Sequence, residues 1–327
     1  MNKHQRPWGK VLSLFGGGLL LAVAVGVGSK LFTSVTLRDG ERDKIKVFVS
    51  ILPQKYFVER IGGERVSVAV MVGPGQNPAT YEPLPQQMSA LAETHIYFRI
   101  GVPFETAWID RLQRLNPEMI MVDTREGVPL REVEDAICHA PGEEAAEADT
   151  PDGHGHNGTG LKDPHIWLDP LLVKVQAETV YRTLAAFDPD YREYYQANLN
   201  RFHTELDQLH AELQATFDGL KRKTLMVYHP AWGYLTDRYG LKQVPLEVEG
   251  KEPGPRELAQ LIDYAKTQGI RVVFIQRQFN STAAEAVARA VNGQVVSIDP
   301  LAEDYLTNMR RIAQAIKESN DRSGESD

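Results

Sequence analysis

Short apolar runs rich in β-branched residues alternate along this chain with stretches whose apolar positions recur every three or four residues. Ile45 to Leu52 reads as a strand, and Gln54 to Ile61 as a short helix closed by Gly62-Gly63. Val66 to Val72 is a second strand, followed by the breaker-rich loop Gly73 to Pro78. Leu84 to Glu93 is helical, His95 to Ile100 a strand, Phe104 to Leu115 a helix and Met119 to Val122 a strand. The scheme then repeats. Strands are expected at Lys223 to Tyr228, Lys242 to Pro245, Val272 to Ile275 and Val295 to Ile298. Helices are expected at Ala231 to Tyr239, Pro255 to Thr267, Ser281 to Val291 and Tyr305 to Glu318. Strands that alternate with helices predict parallel sheets with helices on their faces.

Between the halves, Pro189 to Leu220 carries Tyr195, Leu199, Phe202, Leu206, Leu209, Leu213, Phe217 and Leu220 at steps of three and four, one stripe on one helix face. It holds no Gly or Pro between Tyr191 and Asp218. At 1.5 Å per residue such a rod is roughly 45–50 Å long, enough to join two lobes and limit their hinging. The fold class is therefore α/β: two (β/α) lobes with parallel sheets, joined by a long rigid helix. The expected organisation is a signal or anchor at 1–35 and a linker at 36–44. The N-terminal lobe follows at 45–136 and an acidic, histidine-bearing flexible loop at 137–162. Residues 163–188 lead into the linking helix at 189–222, the C-terminal lobe occupies 223–318, and 319–327 form a polar, disordered tail.

Composition narrows the function classes. The chain has 327 residues with 42% hydrophobic and 24% charged content, the balance of a soluble globular protein. Net charge is -8 with scattered basic residues, which excludes nucleic acid as a partner because phosphate binding needs clustered positive charge. Cys138 stands alone, so there is neither an intrachain disulfide nor a cysteine-rich zinc module. Lys3, Arg6 and Lys10 precede an apolar run from Val11 to Gly28, the pattern of an export signal, cleaved or retained as an anchor. No cysteine follows that run, so a lipoprotein anchor is excluded. The body of the protein is expected outside the cytoplasmic membrane.

Ligands of open parallel sheets sit beyond the carboxyl ends of the strands. His229 follows the strand ending at Tyr228, Asp299 the one ending at Ile298, and Gln276 the one ending at Ile275. The loop after Val72 carries Ala79, Tyr81 and Glu82. His165 enters from the connection between the lobes, in Asp163-Pro164-His165-Ile166-Trp167-Leu168-Asp169-Pro170. Singly, such a histidine is commonly a hydrogen-bonded turn residue and such an aspartate a helix cap. Two imidazoles and a carboxylate converging at the same strand ends instead suit zinc, manganese or iron(II), and are too nitrogen-rich for magnesium or calcium. His95, His203 and His210 read as structural. His154 and His156, in a loop with Glu143, Glu144, Glu147, Asp149 and Asp152, form a tract that binds metal weakly or is merely solvated.

Five motifs then carry a resemblance: Pro78-Ala79-Thr80-Tyr81-Glu82-Pro83, Asp163 to Pro170, Tyr228-His229-Pro230-Ala231-Trp232, Glu249-Gly250-Lys251-Glu252-Pro253 and Ile298-Asp299-Pro300-Leu301. From about Ile45 to Ile316 the chain resembles the metal-binding receptors of ABC importers for zinc and manganese, and its histidine-bearing loop is more similar to that of the zinc members. The resemblance implies a metal cleft between the lobes, delivery to a membrane permease, a monomer, and the ligands His165, His229 and Asp299. It also exposes two departures. The family's first histidine is Ala79 here, and Gln276-Arg277 replaces an acidic residue followed by proline. The fourth position falls to water, Glu82, His154 or His156. A manganese or iron receptor of the same family is the near alternative. The alternative from another class is a metal-dependent hydrolase, since three protein ligands plus water is the form of a catalytic zinc site.

Overall fold

The crossover pattern read from the sequence governs the computed structural model, which describes residues 44–133, 162–247 and 250–322. The expected signal at 1–35, the linker before Lys44, the loop residues 137–161 and the tail beyond Arg322 lie outside the described residues. In the first lobe β1 (Ile45–Ile51), α1 (Leu52–Gly62), β2 (Val66–Val72), α2 (Pro85–Leu91), β3 (Ile96–Arg99), α3 (Pro103–Leu115) and β4 (Ile120–Asp123) follow one another. The four strands are all parallel, in the order β2-β1-β3-β4. After α4 (Pro170–Phe187) and α5 (Arg192–Asp218), the second lobe runs β5 (Thr224–Val227), α6 (Gly233–Tyr239), β6 (Lys242–Pro245), α7 (Pro255–Thr267), β7 (Val272–Ile275), α8 (Thr282–Ala290), β8 (Gln294–Ser297) and α9 (Tyr305–Arg322). Its sheet repeats the arrangement as β6-β5-β7-β8, again all parallel.

In both sheets the first strand lies between the second and third. The crossovers therefore diverge there, and a crevice opens beyond the strands' carboxyl ends. At the end of β3, Gly101 takes a φ of 88°, a conformation that favours glycine, and its N–H donates to Glu105 Oε2 at 2.8 Å. Ser50 Oγ and the Ile100 N–H donate to the same carboxyl group, whose buried position pushes its pKa up. This network sets the turn that presents Val102 and Pro103 to the crevice.

The rod α5 has 27 residues, and its predicted stripe from Tyr195 to Phe217 is buried throughout. It packs against α4, α1, α9 and α6, so it touches both lobes. Asn198 Nδ2 donates to the Ile61 carbonyl at the end of α1 (2.9 Å), and Arg310 Nε of α9 donates to Glu212 Oε2 (2.6 Å). Near the crevice the lobes also meet directly. Trp167 Nε1 donates to the Pro300 carbonyl (2.8 Å), Phe57 and Tyr305 meet edge to face (5.1 Å), and Lys55 pairs with Glu303. One hydrophobic core runs from the first sheet through α4 and α5 to α9, and a second fills the far face of the second sheet.

The final helix departs from the sequence reading, continuing past Glu318 to Arg322. The polar residues assigned to a disordered tail have partners there. Ser319 Oγ donates to the Ala315 carbonyl at 2.7 Å, and Asn320 both donates to the Arg222 carbonyl (2.8 Å) and accepts from the Lys221 N–H (3.0 Å). Asn320 thereby closes backbone groups at the start of the second lobe, which a composition argument does not register.

Phe202 sits at the centre of the rod's buried face, fully buried, with the rings of Tyr56 and Phe57 each 6.0 Å from its own. Phe202→Ala is expected to cost about 3–5 kcal/mol in urea unfolding of the metal-free protein. A loss of under about 1 kcal/mol would show that the rod does not depend on this contact.

Candidate metal centre

The segment Asp163 to Pro170 is held by hydrogen bonds within its own turns and to the second lobe. Asp169 caps α4, its Oδ1 accepting from the Leu171 N–H (2.9 Å) and its Oδ2 from Arg238 Nε (2.8 Å), while Pro170 occupies the first helical turn, where no N–H is needed. Ile166, Trp167 and Leu168 form one buried 3₁₀ turn. Asp163 is 1% exposed, and its Oδ1 accepts from both the His165 N–H (2.9 Å) and His165 Nδ1 (2.7 Å). Behind it, Arg131 Nη1 lies 3.6 Å from Asp163 Oδ2, and the Tyr234 hydroxyl donates to the Asp163 carbonyl (3.0 Å). Burial pushes that hydroxyl up to about 12, so it remains a donor at neutral pH.

His229 is placed by the second sheet. Beyond the formal strands the parallel register continues, with the Leu246 N–H donating to the Val227 carbonyl (2.8 Å) and the Glu247 N–H to the Tyr228 carbonyl (3.0 Å). This lays Glu247 beside His229, and Glu247 Oε2 bonds His229 Nδ1. Phe279 stacks on the His229 ring at 5.1 Å and 24°.

The two histidines therefore share one design. A carboxylate accepts and does not donate, so each Nδ1 carries a proton, and in the neutral ring it is Nε2 that offers the lone pair. The rings stand 5.4 Å apart at 71° and line one cavity of about 160 Å³. Asn77, Pro78, Ala79 and Val102 from the first lobe, and Gln276, Phe279 and Pro300 from the second, complete its wall. Asp163 and Glu247 place one carboxylate behind each ring, which together balance the charge of a divalent cation.

The other candidates are placed differently. Asp299 follows β8; its Oδ1 accepts from the Leu301 N–H (2.8 Å) and its carbonyl from Asn308 Nδ2 (2.6 Å). This is an Asx turn and not the cap of the next helix, which begins at Tyr305 with Asp304 before it. Pro300 and Leu301 reach the cavity wall, whereas Asp299 does not. Among the described residues no three His, Cys, Asp or Glu side chains are grouped to hold one ion, so the histidine pair is what the fold assembles. Ala79 is on the wall, while Glu82 is exposed and off it. His154 and His156 lie outside the described residues. His95 Nδ1 accepts from the Lys46 N–H (3.0 Å), His203 stands near Glu178 with its pKa lowered by burial, and His210 Nδ1 meets the Tyr239 hydroxyl (3.2 Å); none of the three lines the cavity.

Sequence reasoning missed the roles of Asp163 and Glu247. For Asp163 a signal existed, an aspartate two residues before the histidine, the spacing of an Asx turn. For Glu247 there was none, because its 18-residue separation from His229 is closed only by the sheet register.

Residues 47–319 match the family model described as zinc-uptake complex component A, periplasmic. The chain is 25% identical over 295 residues to the high-affinity zinc uptake system protein ZnuA of Bacillus subtilis (strain 168), covering 86% of this chain and 89% of that one. It is 24% identical over 294 residues to the zinc-binding lipoprotein AdcA of Streptococcus pneumoniae (strain ATCC BAA-255 / R6), covering 86% of this chain and 57% of that one. Among solved structures, a crystal structure of ZnuA superposes with a TM-score of 0.76 at 40% identity, covering 85% of this chain and all of that one. A ZnuA deletion mutant with zinc bound superposes with a TM-score of 0.74 at 40% identity, covering 85% and 98%.

Since Glu247 holds the His229 proton on Nδ1, Glu247→Ala is expected to weaken zinc binding by about 10–100-fold while the metal-free protein stays folded. Glu247→Gln keeps an acceptor and loses the charge, so its loss should be smaller. Chelator competition on both variants checks this, and an alanine variant that titrates like the parent would remove Glu247 from the site.

Proposed function

This chain belongs to the family of periplasmic component A of zinc-uptake complexes, and we propose that its cargo is held between the lobes by His165, His229 and Asp299. It is a zinc-binding receptor of an ABC uptake system, and such receptors bind and hand over their substrate without transforming it. The permease is therefore the partner, and the receptor meets it as a monomer.

The observation that carries the reading is the pair of cavity histidines, each held by a carboxylate on Nδ1 so that Nε2 is available. Metal-ligating histidines are commonly fixed in this way. Asp299 enters as the third ligand through Oδ2, because Oδ1 serves the Leu301 turn. A small approach of the Asp299–Leu301 turn, whose next two residues already form the wall, brings the carboxylate to the cation.

His165→Ala, His229→Ala and Asp299→Ala are each expected to reduce zinc affinity at least about tenfold, which is about 1.4 kcal/mol. Parent-like binding by all three in chelator competition would refute the assignment.

Ala79 gives a gain-of-binding test. It stands on the cavity wall between Pro78 and a turn in which its own N–H donates to Asn77 Oδ1 (2.9 Å), so its Cβ direction is set. Ala79→His is expected to tighten zinc binding severalfold and add one nitrogen to the shell seen by X-ray absorption. Unchanged affinity with no added nitrogen would show that position 79 does not face the cation.

A further inference from the structure

Gln276 follows β7 directly and is 2% exposed, yet neither its amide oxygen nor its amide nitrogen has a hydrogen-bond partner. The oxygen of nearby Gln278 is likewise buried and unpartnered. Both residues line the cavity that holds His165 and His229. A buried amide that has lost its water without gaining a partner is a net cost to the folded state, and such groups are uncommon outside functional sites. Strand alternation puts Gln276 on the face of Val272 and Phe274, both buried in the first core, where an aliphatic side chain would be the ordinary choice. An amide is retained instead.

We propose that Gln276 is a ligand of the cargo cation, presenting its amide oxygen at the position that Ala79 leaves unfilled. This rests on the histidine site proposed above. The charge count explains why an amide serves better than a carboxylate. Asp163, Glu247 and Asp299 already place three negative charges around a doubly charged ion, more than balancing it, so a fourth carboxylate would only set further like charges against each other in the empty cleft. A neutral carbonyl oxygen adds a donor without adding charge. It also satisfies the orphaned oxygen only when cargo is present, so the empty receptor carries a defect that the cation repairs in part. Carbonyl oxygen is a harder donor than imidazole and suits manganese better than zinc, so its removal should affect manganese more.

The experiment compares Gln276→Leu, Gln276→Glu and His229→Ala with the parent. It uses chelator competition with zinc and with manganese, thermal melting of the metal-free proteins, and X-ray absorption of the zinc-loaded ones. Gln276→Leu is expected to melt at or above the parent's temperature when metal-free, to bind zinc about tenfold more weakly and manganese more weakly still, and to lose one oxygen from the shell. Gln276→Glu keeps the oxygen and should bind zinc at least as tightly as the parent, while melting lower when empty. A purely structural role would lower the metal-free melting temperature of the leucine variant and leave the shell unchanged. Parent-like affinity and an unchanged shell in Gln276→Leu, with binding lost in His229→Ala, would overturn this proposal alone. Parent-like binding in His229→Ala would overturn the histidine site itself.

Discussion

The hydrogen bond between a buried carboxylate and Nδ1 of each cleft histidine is the constraint on which the site depends. An imidazole can present either nitrogen, and a ring free to change tautomer or rotate would offer a lone pair only part of the time. Asp163 and Glu247 remove that freedom and supply negative charge close to the ion without occupying its coordination shell. The two carboxylates are positioned by different means. Asp163 acts within its own turn and is braced by Arg131 and Tyr234. Glu247 depends on the parallel pairing of two strands, so the second half of the site is only as well ordered as the β5–β6 register.

The same economy runs through the scaffold. A receptor whose lobes swing widely would have to order a hinge each time it captured an ion, and that entropy would be subtracted from affinity. Here the rod α5 is buried along one face by elements of both lobes, and Trp167, Phe57 and Lys55 cross directly to Pro300, Tyr305 and Glu303. The adjustments left to the protein are local, such as a turn at Asp299 or a side chain at Gln276. Small shifts of this kind suit a cargo one atom across.

Release is the other half of the task. A closed structural zinc site uses four strong protein donors and holds its ion as part of the fold. This cleft departs from that pattern, with two imidazoles supported from behind and with Ala79 and the neutral amide-bearing Gln276 on its wall. The buried amide makes the empty state less comfortable and the loaded state less tight than four charged or imidazole donors would. The two effects act in opposite directions: the weaker donor favours release, whereas the uncompensated empty state favours capture.

Much of this was legible in the sequence. The eight strands and the rod came from periodicity, because a strand's period of two and a helix's of 3.6 are properties of the local backbone that any sufficient run of apolar residues reports. The rule that ligands of parallel sheets gather at the strands' carboxyl ends singled out His229, the connection between the lobes singled out His165, and the fold brings both to the wall of the same cavity. The distinction between Asp299 as turn residue and Asp299 as ligand was not legible, since both roles use the same residue at the same place, and the fold commits its Oδ1 to Leu301. Nor were the partnership of Glu247 with His229, the hold of Asn320 on Lys221 and Arg222, or the isolation of the Gln276 amide. Each depends on which groups of distant segments come within hydrogen-bond reach. That is set by strand order, register and packing, which the sequence of one segment does not encode by itself.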